Sequence, residues 1–179
     1  MTIKEICKKY KIENYTINRD TVDVKGDVDL SYENLKKLPL KFGTVTGDFY
    51  CHHNKLTSLD GAPKKVTGHF SCSHNNLMSL EGTPKKVGRN FYCSSNKLTS
   101  LEGTPEKILG GFYCSSNKLT SLEGGLKEVG GLFLCSPNKL TSKLQCALID
   151  AYRFTTDFGS FKIPKDKHEK IKWIFENDN

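Results

Sequence analysis

The run Gly111-Phe112-Tyr113-Cys114-Ser115-Ser116-Asn117-Lys118-Leu119-Thr120-Ser121-Leu122-Glu123-Gly124 is one copy of a unit that returns every 21 residues along this chain. Working outward from it, Phe49, Phe70, Phe91 and Phe133 stand in register with Phe112. Cys51, Cys72, Cys93 and Cys135 match Cys114, and Asn54, Asn75, Asn96 and Asn138 match Asn117. Leu56, Leu77, Leu98 and Leu140 match Leu119, and Leu59, Leu80 and Leu101 match Leu122. Gly61, Gly82 and Gly103 align with Gly124, and Val66, Val87, Ile108 and Val129 complete the unit. One step upstream, Val28, Leu30, Leu35, Leu38 and Val45 fill the same slots, with Glu33 where asparagine would stand. The chain therefore holds about six copies, a divergent one first and the last breaking down after Ser142.

The residue types dictate the local geometry. In Gly-x-Phe-x-Cys, alternation places Phe and Cys on one side of a short strand and the intervening residue on the other. Such a strand is too short to stand alone, so each copy must pair with its neighbours at about 4.8 Å. Parallel stacking aligns Phe on Phe, Cys on Cys and Leu on Leu. The asparagine follows the strand where the chain turns inward, and its amide can pair turn backbone groups left without partners. Gly61-Ala62-Pro63, Gly82-Thr83-Pro84 and Gly103-Thr104-Pro105 end each coil. Their prolines exclude a helix across the far side and fix an extended return. The expected fold is mainly β with helical caps: a solenoid built on an open parallel β-sheet.

Phe-x-Cys-x-x-Asn-x-Leu-x-x-Leu resembles the leucine-rich-repeat consensus, with Phe and Cys in two of the leucine positions. The short period resembles the 20-residue repeats of bacterial secreted effectors, with one extra residue, usually glycine, before the strand Phe, as in Val129-Gly130-Gly131-Leu132-Phe133. The opening Lys25-Gly26-Asp27-Val28-Asp29-Leu30-Ser31, followed by Leu35-Lys36-Lys37-Leu38-Pro39, is similar to that of small repeat proteins of tailed bacteriophages and their prophages. The resemblance implies a leucine-rich-repeat solenoid over residues 26–142 and a protein that acts on the bacterial host. Some of the secreted effectors carry a ubiquitin-ligase cysteine in a large helical domain after the repeats. Only 37 residues follow Ser142 here, too few for that domain, so the activity is not carried over to Cys146.

Both ends read as caps. Thr2 with Glu5 fits a capping box, and Ile3, Ile6, Cys7 and Tyr10 then share one helical face, so residues 1–25 form a helical cap and lead-in. Residues 143–179 form a C-terminal cap, with a second short helix through Leu144, Leu148 and Ala151. A third, over 165–177, carries Ile171, Ile174 and Phe175 on its apolar side.

Composition narrows the function classes. Hydrophobic residues make up 36%, enough for one thin core, and no apolar run approaches the ~20 residues that span a bilayer. The first residues lack the apolar stretch of a signal peptide, so a soluble, cytoplasmic protein is expected, in the host cytoplasm if phage-encoded. Lys and Arg total 27 against 20 Asp and Glu, but only Arg19, Arg89 and Arg153 are arginine, the residue best suited to phosphates and base edges. The lysines fall in two rows: Lys64, Lys65, Lys85, Lys86, Lys107 and Lys127 on the return, and Lys55, Lys97, Lys118 and Lys139 after each Asn. Interleaved glutamates make these rows look like a solvated surface. Nucleic-acid binding through them is the alternative reading.

No catalytic constellation emerges from the pattern, and no cofactor is implied. The periodic cysteines read as small apolar core groups rather than metal ligands or disulfides. His53 and His74 share a repeat position, and His52 and His69 fall on the outward side of the sheet. No carboxylate or exposed thiol completes a ligand set around them, so no metal site is assigned. The residues flanking Phe and Cys vary from coil to coil while the core positions do not. Tyr50, Tyr92, Tyr113 and Leu134 run as a stripe down the expected concave face, beside His52, His69 and Leu132. Exposed Tyr and Leu anchor protein interfaces, although stacking across strands would also stiffen the sheet. The expected function is a non-enzymatic protein-binding module, phage-encoded, that inhibits or modulates a host or defence protein.

Overall fold

The computed structural model describes residues 1–140 except Glu106, Glu123 and Gly125, the backbone of residues 150–156 and 159–161, and Glu169. Helix α1 (Ile3–Lys9) opens the chain. Glu5 N–H donates to Thr2 Oγ1 at 3.3 Å and Thr2 N–H to Glu5 Oε2 at 2.7 Å, the expected capping box. Cys7 and Ile12 are buried, and the partly buried Ile3, Ile6 and Tyr10 pack against the core. A hairpin of β1 (Tyr15–Asn18) and β2 (Thr21–Val24) then leads into the repeats.

Each turn of the solenoid contributes two short strands. The Phe strands are β3 (Val28–Asp29), β5 (Phe49–Tyr50), β7 (Phe70–Ser71), β9 (Phe91–Tyr92) and β11 (Phe112–Tyr113). They pair in parallel with Phe opposite Phe, as in Phe49↔Phe70 and Phe91↔Phe112. The return strands β4 (Lys41–Val45), β6 (Lys65–Val66), β8 (Lys86–Val87) and β10 (Lys107–Ile108) form a second parallel ladder. β12 (Glu128–Leu134) runs through both ladders and joins them into one sheet. From Val28 to Phe133 the register advances by 21 residues at every step, so six strand copies bound five full turns. The return was expected to be extended only. It pairs because Val66, Val87, Ile108 and Val129 each point a β-branched side chain into the core and leave backbone groups free to join neighbouring coils.

The core is a set of stacked columns. Phe49, Phe70, Phe91, Phe112 and Phe133 are fully buried, with consecutive ring centroids 5.0–5.6 Å apart. Phe42 closes the column against Phe49 at 5.1 Å. Cys51, Cys72, Cys93, Cys114 and Cys135 are all free thiols with no solvent exposure. At the corner before each return, Gly82 takes φ +87°, and a Cβ there would lie 2.8 Å from the Leu59 carbonyl oxygen. Only glycine meets both conditions.

Downstream, of the short helix expected through Leu144, Leu148 and Ala151, only Ala151 is described, and it does not lie in a helix. Ala151 lies in β13 (Asp150–Thr156), which pairs in parallel with β12 and places Phe154 opposite Phe133, again 21 residues on. β14 (Gly159–Phe161) turns back antiparallel on β13. Leu144 and Leu148 lie outside the described residues. An unpaired parallel edge offers a strand more hydrogen bonds than a helix of two turns can make for itself. The helix expected over 165–177 also lies outside the described residues except Glu169, whose backbone is helical. No helix among the described residues is long and apolar enough to cross a membrane.

Candidate protein-binding face

The outer face of the Phe ladder carries all seven residues singled out from the sequence: Tyr50, His52, His69, Tyr92, Tyr113, Leu132 and Leu134. Each is half-buried, neither in the core nor fully exposed. Two-residue strands with Phe turned inward leave the next side chain no other direction. Tyr92 and Tyr113, paired across β9 and β11, stack with centroids 4.7 Å apart and planes 19° from parallel. Tyr113 lies over Gly111, where an added Cβ would come within 2.8 Å of its ring. Ser71 interrupts the tyrosine column and is buried between its neighbours. At the far end Leu132 and Leu134 pair with Arg153 and Thr155 of β13, so the strand ladder continues past the last complete copy.

A polar ladder underlies the tyrosines, and reading the sequence did not separate it from the candidate face. Asp27 Oδ1 accepts the Asp48 N–H at 2.8 Å, and Asp48 Oδ1 accepts the His69 N–H at 2.6 Å. His69 Nδ1 then accepts the Asn90 N–H at 3.1 Å, and Asn90 Oδ1 accepts the Gly111 N–H at 2.8 Å. One acceptor side chain per coil thus caps the backbone of the next, and His69 is held by this structural task. The signal was present as four acceptor residues in a row at the position before Phe, ending where Gly111 has no side chain.

The ladder also orients the tyrosines. Tyr50 Oη donates to Asp48 Oδ2 at 2.7 Å, and Asn90 Nδ2 donates to Tyr92 Oη at the same distance. Burial and the Asp48 carboxylate push the Tyr50 hydroxyl up to about 12. Burial alone would raise the Asp48 carboxyl. The His69 N–H and Tyr50 hydroxyl donated to it, with the nearby His69 and Arg89, outweigh that and hold it below the usual range. Tyr113 is also raised, by burial and by Tyr92.

His52, His53 and His74 gather at one end of this face. His53 and His74 stack at 4.2 Å, and Tyr32 stacks on His53 at 4.4 Å. His52 Nδ1 lies 2.9 Å from His53 Nδ1, and its ring meets Tyr50 and Tyr32 edge-on. Tyr32, His53, His74, Ser95 and Ser116 all take positive φ of 53–60°, since each holds the same tight turn before the inward bend. This shared backbone, rather than a ligand set, brings the rings together. Among the described residues no three His, Cys, Asp or Glu are placed to hold a metal ion.

What remains is a half-apolar face of tyrosine, histidine and leucine, with the Tyr50 and Tyr92 hydroxyls oriented by Asp48 and Asn90. Comparison with models of known protein families, with curated proteins and with solved structures brings no match.

Proposed function

We propose that this chain is a non-enzymatic protein-binding module that engages its target through the outer face of the Phe ladder. The observation that carries the reading is the Tyr92–Tyr113 stack, with Tyr50 and Leu134 in the same column. Side chains already held by stacking and hydrogen bonds lose little entropy on binding and still bury much area. The resemblance to small phage repeat proteins supports a protein of the bacterial host, or of its defence systems, as the target, met in the host cytoplasm. Binding there inhibits or modulates it.

The test is affinity capture from a bacterial host lysate with the wild-type chain and with Tyr50→Ala/Tyr92→Ala/Tyr113→Ala, after checking that both unfold at similar urea concentrations. A host protein retained by the first and lost from the folded variant supports the reading. Equal capture by both, or none by either, defeats it.

Nucleic acid is the second reading, favoured by one observation: Lys65 and Lys86 face each other across the return ladder without an ion pair among the described residues. Electrostatic binding of this kind is strongest at low salt. Absence of a mobility shift with duplex or single strands at about 50 mM salt removes it.

A further inference from the structure

Around the corner from the tyrosine face, the return ladder bears a groove of about 860 Å³. It follows from one position of the repeat. The residue after each return Val or Ile points outward, and it is Thr67, Gly88 and Leu109 in three successive coils. Gly88 has no side chain, and a Cβ there would fall against the Thr67 carbonyl oxygen, so the position stays empty. The hollow lies between Thr67 and Leu109, over buried Pro84, Val87 and Pro105. Leu109 is 61% exposed, one of the few large apolar side chains so open to solvent.

The rim is cationic. Lys65, Lys85, Lys86 and Lys107 line the groove, and no acidic side chain does so among the described residues. Lys107 is paired with Glu128 at 2.8 Å, whereas Lys65, Lys85 and Lys86 have no ion pair among the described residues. Lys65 and Lys86 are directly opposite in the ladder, an arrangement that costs stability unless an anion lies between them. The Thr67, Thr83 and Thr104 hydroxyls already donate to backbone carbonyls of neighbouring coils. Recognition is left to the ammonium groups and the aliphatic hollow.

We infer that this groove binds a short acidic stretch of a partner protein, with one aliphatic side chain seated over Gly88 and flanking carboxylates on Lys65, Lys85 and Lys86. Lys65 to Lys107 spans two ladder steps, about 10 Å, which three or four extended residues cover. Nucleic acid fits less well, because the lining has neither an aromatic ring to stack a base nor an arginine to grip a phosphate with two hydrogen bonds. The inference does not rest on the reading of the tyrosine face.

Fluorescence anisotropy with the full chain tests it, using a labelled peptide of repeated Glu-Glu-Val-Pro, its Gln-Gln-Val-Pro counterpart and a labelled oligothymidylate. The acidic peptide should bind saturably at about 50 mM salt and weaken as salt screens the lysines, while the glutamine peptide should not bind. Lys65→Gln/Lys86→Gln should weaken binding about tenfold or more with no loss of urea stability, since it removes a like-charge pair. Leu109→Ala should weaken the same peptide several-fold without changing its salt dependence. Tyr50→Ala/Tyr92→Ala/Tyr113→Ala should leave the affinity unchanged. Failure of the acidic peptide to bind overturns the inference. So does peptide binding indifferent to Leu109→Ala, or displacement of the peptide by oligothymidylate that binds more tightly.

Discussion

Asn96 Oδ1 accepts the backbone N–H of Leu77 at 3.0 Å, nineteen residues back in the chain and one coil away. Its amide nitrogen donates to the carbonyls of Cys93 in its own coil and Cys72 in the previous one, both at 3.1 Å. Asn54, Asn75, Asn117 and Asn138 repeat the arrangement. Each asparagine is thus a staple between coils as well as a cap on its own turn. Asn96→Ala should cost on the order of 1–3 kcal/mol for each buried group left unpaired. Asn138 makes the same bonds but is only part-buried, so water can replace some of them and Asn138→Ala should cost less. Urea unfolding of the two variants checks the order, and equal losses would refute it.

The cysteine column should be chemically silent. Cys93 is fully buried, and burial raises its thiol well above the usual range, as it does for Cys72. A thiol that meets no solvent does not react with a reagent confined to water. A water-soluble alkylating reagent should therefore spare Cys7, Cys51, Cys72, Cys93, Cys114 and Cys135 in the folded chain and modify them in denaturant, as read by mass spectrometry. Cys93→Ser should cost roughly 1–3 kcal/mol by placing a hydroxyl among apolar groups. Rapid native labelling of these six would mean the columns are not core.

The Ser115 hydroxyl oxygen is shut away from solvent and has no hydrogen-bond partner among the described residues. A buried polar atom in that state costs about 1–3 kcal/mol. Ser115→Ala removes it at the price of a small void, and should leave the fold as stable or up to about 1 kcal/mol more stable. A clear loss of stability in urea unfolding would show that the hydroxyl has a partner.

Acid should loosen the histidine end. Burial, and then the neighbouring His53, hold His52 and His74 below the ordinary imidazole range, while Asp29 pulls His52 the other way. The folded state thus favours the neutral rings. As pH falls below the unfolded value of about 6.5, the unfolded chain takes up protons first. Stability is fully present above that value and declines beneath it, down to the folded-state values. The wild-type Tm should fall between pH 7.5 and 5.5 more than that of His52→Gln/His74→Gln. Identical slopes would exclude these two rings as the cause.

How much of this was legible in the sequence follows from the physics of repetition. Stacking forces every copy to place the same residue in the same environment. The 21-residue recurrence of Phe, Cys, Asn, Leu and Gly therefore specified the solenoid, its core columns and the inward asparagine before any coordinates. The capping box at Thr2 and Glu5 was equally plain, because it depends only on residues three apart. The tyrosine positions could be placed on the outer face for the same reason, since a side chain next to a buried one on a strand must point away.

Only the tertiary structure decided what depends on contacts between unlike coils. His69 and Asn90 share the acceptor position before Phe but differ in type, and only the stacked coils show that each caps the backbone of the next as members of one ladder. The hollow over Gly88 exists because Thr67 and Leu109 flank it from neighbouring coils, a relation of three variable positions rather than of a repeated one. Phe154 continues the Phe register after an interval without the consensus, and Ala151, expected at the end of a short helix, is instead paired in β13 along the edge of β12. Repeated positions report their environment through recurrence, while variable ones acquire theirs only when the coils are stacked.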